Sequence, residues 1–239
     1  MIVLEDKRVD FTDFSSRRYL NEYYSSCDEE NKFLLESFHE IYKDIDDGLS
    51  IFEVGGGPTI YQLMSASNKA GRVLFSDFSK SNLMEVAKWF KCSPSRFDWN
   101  DFLNYVADIE GTTKEFIEWR MLDLDIEFKQ LNVLGGIPTK ADLVSSCFCI
   151  ESITDNYVDY SQLFSNIKSA ADKYIVMAAL RNAEFYKVGK VKYSAFPVDM
   201  MEIIGFLDSD FKMVKSFSMD CDYSRGYDGI IVFLARRVS

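Results

Sequence analysis

Three consecutive glycines, Gly55, Gly56 and Gly57, follow directly on the apolar run Ile51–Val54 and lead into Pro58, Thr59 and a helical pattern. Glycine lets a chain turn sharply after a strand and lets a ligand approach the backbone with no Cβ in the way. Asp77 ends a second apolar run, twenty residues beyond Gly57. At that separation a carboxylate can reach the hydroxyls of a ribose. Asn82 opens the next helical segment and faces the same crevice. A third acid, Asp123, closes the run Phe116–Leu122, where it could accept a hydrogen bond from the amino group of an adenine. Ile60 stands where a dinucleotide fingerprint needs its third glycine, and no basic residue lies in the turn. Nicotinamide dinucleotides and phosphate ligands are therefore disfavoured. A glycine turn, a ribose acid and an adenine acid at three strand ends suit S-adenosylmethionine. Strand-terminal acids also serve as helix caps, and Asp77, ahead of Ser79, is open to that role as well.

Composition narrows the chemistry further. Of 239 residues, 38 are acidic and 27 basic, for a formal charge of -11, and His39 is the one histidine. A surplus of acid disfavours sequence-independent binding of nucleic acid and docking on anionic membrane. One histidine excludes a multi-histidine metal site and argues against a Ser-His-Asp triad, so no metal site is expected. Five cysteines form no CxxC pair. Cys147 and Cys149, two apart in a strand-like run, read as buried free thiols on one face. The N-terminus turns charged after four residues, and no apolar run approaches the roughly 18 residues of a membrane helix. A cytoplasmic monomer acting on a small molecule is the expectation.

The elements that must position these residues alternate. Strand-like runs lie at Ser50–Val54, Arg72–Ser76, Phe116–Leu122, Asp142–Ile150, Tyr174–Leu180, Met213–Ser218 and Ile230–Ala235. Helical periodicity covers Thr59–Asn68, Ser81–Lys91, Tyr157–Ala171 and Val198–Leu207. Such alternation predicts an α/β fold with a Rossmann-like, seven-stranded, mostly parallel doubly wound sheet. Too few residues separate the last two strands for a helix, so they pair antiparallel at a sheet edge. The chain reads as a single domain over 1–239, with an N-terminal helical lid at 1–48. Its core spans 49–239 and carries a substrate-side insertion near 181–197.

Several stretches together resemble the family of nicotinamide, phenylethanolamine and indolethylamine (thioether) methyltransferases. They are Gly57-Pro-Thr-Ile-Tyr-Gln-Leu63, Ser76-Asp-Phe-Ser-Lys-Ser-Asn82, Phe97-Asp-Trp99, Tyr105-Val-Ala-Asp-Ile-Glu-Gly111, Arg18-Tyr-Leu-Asn-Glu-Tyr-Tyr24 and Gly229-Ile-Ile-Val-Phe-Leu-Ala-Arg236. The resemblance implies a class I S-adenosylmethionine-dependent enzyme. Tyr19 and Tyr24 would close over the methionine part of the cofactor, with Tyr23 near the substrate. Gly55, Gly56, Gly57, Thr59 and Tyr61 would hold the methionine moiety and ribose. Asp77, with Phe78 beside it, would hold the ribose, Asn82 would lie near the adenosine, and Asp123 and Leu124 would hold the adenine. Tyr19 and Tyr23, at i and i+4, equally fit simple core packing.

On the acceptor side the sequence departs from the family. Ala178 stands where nicotinamide-type members place a carboxylate, Ala195 where a hydroxyl would contact an amide, and Gly226 where other members use an acid or amide. Glu151, Glu184 and Tyr186, with Asp155 and Arg181, are the candidate replacements, and Glu151 and Tyr19 are the candidate catalytic residues. The implied reaction is in-line methyl transfer to the nitrogen of a small amine or N-heterocycle, driven by alignment and exclusion of water. Sulfur methylation of a thiol or thioether and a catalytically silent cofactor-binding member are the alternatives.

Overall fold

The structure, a computed structural model, describes residues 14–238. Its first helix, α1 (Ser16–Tyr23), starts at Ser15, whose hydroxyl accepts the Arg18 N–H. The second, α2 (Glu29–Tyr42), starts at Asp28, whose carboxylate accepts the Asn31 N–H. An alternating series follows: β1 (Leu49–Val54), α3 (Tyr61–Ala66), β2 (Ala70–Asp77), α4 (Lys80–Phe90), α5 (Asn100–Glu110), α6 (Lys114–Leu122), β3 (Ile126–Gln130), β4 (Ala141–Cys147), α7 (Tyr157–Ala170) and β5 (Ala171–Arg181). After the short hairpin β6 (Phe185–Val188) and β7 (Val191–Ser194), α8 (Met200–Leu207), β8 (Phe211–Asp220) and β9 (Gly229–Arg237) complete the chain. Residues 1–13 of the expected lid lie outside the described residues.

Seven strands form one sheet in the order β3-β2-β1-β4-β5-β9-β8. β1 is parallel to β2 and β4, β2 to β3, and β4 to β5, while β9 runs antiparallel to both β5 and β8. β8 is thus the edge and the antiparallel strand lies one place in. Alternate residues of β5 enter two different cores. Tyr174, Val176 and Ala178 join the apolar cluster under α2, α3 and α5, whereas Ile175, Met177 and Ala179 join the one under α7 and α8. Strands covered on both faces read as continuous apolar runs, as β1 and β5 do. The succession reverses direction between β1 and β4, so their carboxyl ends flank the crevice where doubly wound sheets bind ligands. The 181–197 segment forms the β6–β7 hairpin beside that crevice, and Tyr23 on α1 donates to its Lys187 carbonyl at 2.6 Å.

One expected strand is a helix. Phe116–Leu122 belongs to α6, where Ile117 and Met121 are buried four apart and Phe116 and Trp119 face solvent. The third strand is instead Ile126–Gln130, a partly exposed edge segment too polar to stand out as an apolar run. Asp123 is consequently the C-cap of α6, at the amino end of β3. Cys147 and Cys149 do not share a face. β4 ends at Cys147, Phe148 turns the backbone at φ 53°, and the two thiols enter different clusters.

Candidate active site

β1 delivers the glycine turn to the crevice. Gly55 and Gly57 both have φ of 64°, a left-handed conformation costly for any residue with a Cβ. At Gly55 a Cβ would lie 2.0 Å from Cys149 Sγ, so the turn after β1 is packed directly on the turn after β4. Thr59 Oγ1 and Gln62 Nε2 donate to the Gly56 carbonyl at 2.9 and 3.0 Å, fixing the loop from below. Pro58 lies in this loop, ahead of α3.

Asp77, at the end of β2, faces the turn. Its Oδ2 accepts the Gly57 N–H at 2.9 Å, and its Oδ1 accepts the Ser79 N–H at 2.7 Å and Asn82 Nδ2 at 3.0 Å. The N-cap of α4 is Ser79 rather than Asp77. The carboxylate is 8% exposed, and its burial pushes the pKa up against these three hydrogen bonds. Asn82 passes the constraint on, because Ser16 Oγ at the start of α1 donates to its Oδ1 at 2.7 Å. Behind the turn, Glu53 is buried with Ser145 and Gln62 as partners, and burial raises its carboxyl to about 7.

α1 contributes an aromatic wall. The Tyr19 and Tyr24 hydroxyls are 3.3 Å apart, and the Tyr19 ring lies 5.0 Å from that of Tyr23. Tyr24 stacks on Tyr61 at 5.3 Å and packs on Trp99 at 5.5 Å. Burial pushes the Tyr19, Tyr24 and Tyr61 phenols up, so they stay protonated and offer O–H dipoles and π faces, not negative charge.

These parts enclose a cavity of about 330 Å³. Of the candidate cofactor residues it brings together Tyr19, Tyr24, Gly55, Gly56, Gly57, Thr59, Tyr61, Asp77, Phe78 and Asn82. Asp123 and Leu124 are not among its walls, since they stand at the opposite end of β3. The carboxyl end of that strand supplies Leu131, Asn132, Val133 and Leu134 to the cavity in their place. Asn132 sits where an adenine acid was expected. Its signal, a polar residue just past a short alternating strand, is weak and was hidden by the apolar α6.

The candidate acceptor residues divide. Tyr23 and Tyr186 line the cavity. Ala178 and Ala195 are buried in the apolar core, and exposed Glu184 lies on the hairpin, paired with Tyr223. Asp155 is exposed, and Arg181 is held by Asp220 and Asp228. Glu151 is fully buried behind the lining residues Cys149, Ser152 and Leu180. Its Oε1 accepts the Leu180 N–H at 3.0 Å, and its Oε2 has no partner among the described residues. Burial, opposed by the Leu180 amide, raises its carboxyl to about 7. Glu151 is not among the residues that line the cavity, which it reaches through the Leu180 amide. Sequence reasoning also missed Asp28, Glu30, Arg225 and Tyr227, which join the walls from α2 and from the β8–β9 connection.

A sequence model of the NNMT/PNMT/TEMT family matches residues 3–238. Nicotinamide N-methyltransferase of Homo sapiens is 31% identical over 205 residues, covering 77% of this chain and 76% of that protein. Indolethylamine N-methyltransferase of Mus musculus is 24% identical and covers 94% of this chain and 93% of its own length. Among solved structures, N-methyltransferase NodS from Bradyrhizobium japonicum WM9, in complex with S-adenosyl-L-homocysteine, aligns with a TM-score of 0.64 at 9% identity, over 96% of this chain and 100% of that one. Magnesium protoporphyrin IX methyltransferase from Synechocystis PCC 6803 with bound SAM aligns at 0.63 and 12% identity, over 95% and 93%. Those two likenesses speak for the fold, and the sequence matches speak for descent. The chain belongs to the NNMT/PNMT/TEMT family.

Proposed function

We propose that this chain binds S-adenosylmethionine in the 330 Å³ cavity and methylates a nitrogen of a small amine or N-heterocycle. The observation that carries the reading is Asp77. A buried carboxylate anchored on the Gly57 amide, with further acceptor capacity on Oδ2, fits a ribose diol. No basic side chain lies in the glycine turn, so a phosphate is a poor fit. A nucleoside carrying a positive charge is a good one, since protonated tyrosines surround the space beyond the turn.

Bound S-adenosylmethionine supplies an electrophilic methyl group on a cationic sulfur. Asp77 and the glycine turn would hold the ribose, and Phe78, Asn132 and Val133 would enclose the base. Tyr19 and Tyr24 would offer hydroxyl oxygens and ring faces to the charged end and stabilise it without water. α1, tied to the cofactor acid through Ser16 and Asn82, acts as the lid that excludes solvent. Alignment of two reactants in such a site is worth about 7–11 kcal/mol of barrier. Glu151 holds the Leu180 amide, and with it the acceptor wall, in place.

A panel of amines, N-heterocycles, thiols and thioethers incubated with methyl-labelled cofactor and read by mass spectrometry tests the assignment. Label on nitrogen supports it. Label confined to sulfur acceptors, or to none while the cofactor still binds, overturns it.

A further inference from the structure

We infer that Arg225 is the acceptor-recognition residue of this cavity and selects nitrogen acceptors that carry a carboxylate. The inference rests on the methyltransferase reading above and names the substrate class of the same site. Arg225 is the only basic side chain among the described residues that line the cavity. It comes from the short helical turn Tyr223–Arg225 between β8 and β9. That turn is pinned to the hairpin by the Glu184 N–H, which donates to the Gly226 carbonyl at 3.0 Å. Tyr23 is pinned to the same hairpin, and the Arg225 guanidinium lies 5.8 Å from the centre of its ring. The cation therefore has a fixed seat beside the aromatic wall.

Within the local ion pair Glu30 is the more fully engaged partner. Arg225 Nη1 donates to Glu30 Oε2 at 3.1 Å, and Tyr227 Oη donates to the same oxygen at 2.9 Å. The Cys221 thiol bonds to Glu30 as well. The other acid at this end, Asp28, is committed to the Asn31 backbone and side chain at 3.0 and 2.9 Å. Asp28 takes both of these bonds on Oδ1, and Glu30 takes the Arg225 and Tyr227 bonds on Oε2. Arg225 has five N–H donors, and Glu30 and Tyr227 engage only a minority of them. A planar guanidinium with free donors, held beside an aromatic face, matches a carboxylate bidentately. An acceptor ammonium would have to compete with Arg225 for Glu30. Ala178 and Ala195 add no competing polar anchor, being buried away from the cavity.

The test uses the full chain saturated with S-adenosyl-L-homocysteine and titrated calorimetrically with two matched pairs of probes. One pair is pyridine-3-carboxylate and pyridine-3-carboxamide; the other is tryptophan and tryptamine. In at least one pair the carboxylate is expected to bind about tenfold tighter or more. R225Q is expected to abolish that preference while changing affinity for the uncharged or amine partner less than about threefold, and R225K to restore part of it. Raising sodium chloride should shrink the preference in the wild type but not in R225Q. Equal or inverted preference in both pairs, no binding of either carboxylate, or an unchanged ratio in R225Q overturns the assignment. Failure of S-adenosyl-L-homocysteine itself to bind is a separate result, which removes the methyltransferase reading and this inference with it.

Discussion

The hydroxyl of Ser16 donates to Asn82 Oδ1 at 2.7 Å, joining the first turn of α1 to the first turn of α4. The amide of the same Asn82 donates to Asp77 at 3.0 Å, so helix α1 and that acid share one buried network. The seat of α1 and the setting of the Asp77 carboxylate are therefore coupled through Asn82. Arg17 reinforces it by pairing with Glu85 at 2.6 Å and with the Ser95 carbonyl at 2.7 Å.

Ser16→Ala leaves Asn82 Oδ1 buried without that donor, a loss of about 1–3 kcal/mol. The α1 segment should open more often, while the sheet stays protected. Limited trypsin digestion is expected to cut at Arg17 and Arg18 several-fold faster, and S-adenosyl-L-homocysteine to bind more weakly. Unchanged cleavage and affinity would show that α1 is held by other means.

Gly55→Ala meets two obstacles at once, a φ of 64° and Cys149 Sγ at 2.0 Å. Together they should cost about 2 kcal/mol or more, with loss of cofactor binding. Adding Cys149→Ala removes the contact at 2.0 Å and leaves the Cys149 Cβ at 2.9 Å together with the backbone part. In urea denaturation the double variant is expected to be more stable than Gly55→Ala alone. A double variant that is no more stable would place the clash elsewhere.

Stability should fall as pH rises from about 5 to 8. Glu53 and Glu151 both have carboxyls raised to about 7 in the folded chain, chiefly by burial. Between the ordinary carboxylate pKa and 7 the folded state therefore holds more protons than the unfolded state, and each rise in pH favours unfolding. The effect is fully developed above pH 7 and is on the order of 3 kcal/mol per group. Glu151→Gln should flatten its share of this slope and gain relative to the wild type at pH 8. Thermal melts across this range check it, and a wild-type midpoint that rises with pH would contradict it.

The doubly wound sheet was legible because parallel strands buried on both faces read as apolar runs, as at Ile51–Val54 and Tyr174–Leu180. The same rule misassigned α6, whose Phe116 and Trp119 gave an apolar run while standing 44% and 59% exposed. It also concealed β3, an edge strand whose residues are only partly buried. The error carried Asp123 and Leu124 to the wrong end of the sheet and hid Asn132. The meeting of the glycine turn with Asp77 was readable because local geometry fixes it: Gly57 follows β1 and Asp77 ends β2, its neighbour in the sheet. Ser16, Glu30 and Arg225 were not readable, because their neighbours are 66 to 195 residues away in the chain. Only the folded packing of α1, α2 and the β8–β9 connection brings them together.

The most direct measurement is calorimetric titration of the full chain with S-adenosyl-L-homocysteine, before and after Asp77→Ala, with circular dichroism to establish that both are folded. The account predicts one site per chain in the wild type and an affinity at least about 100-fold lower in the variant, the loss of two hydrogen bonds to a charged group. No heat with the wild type, or equal affinity in the folded variant, would contradict it.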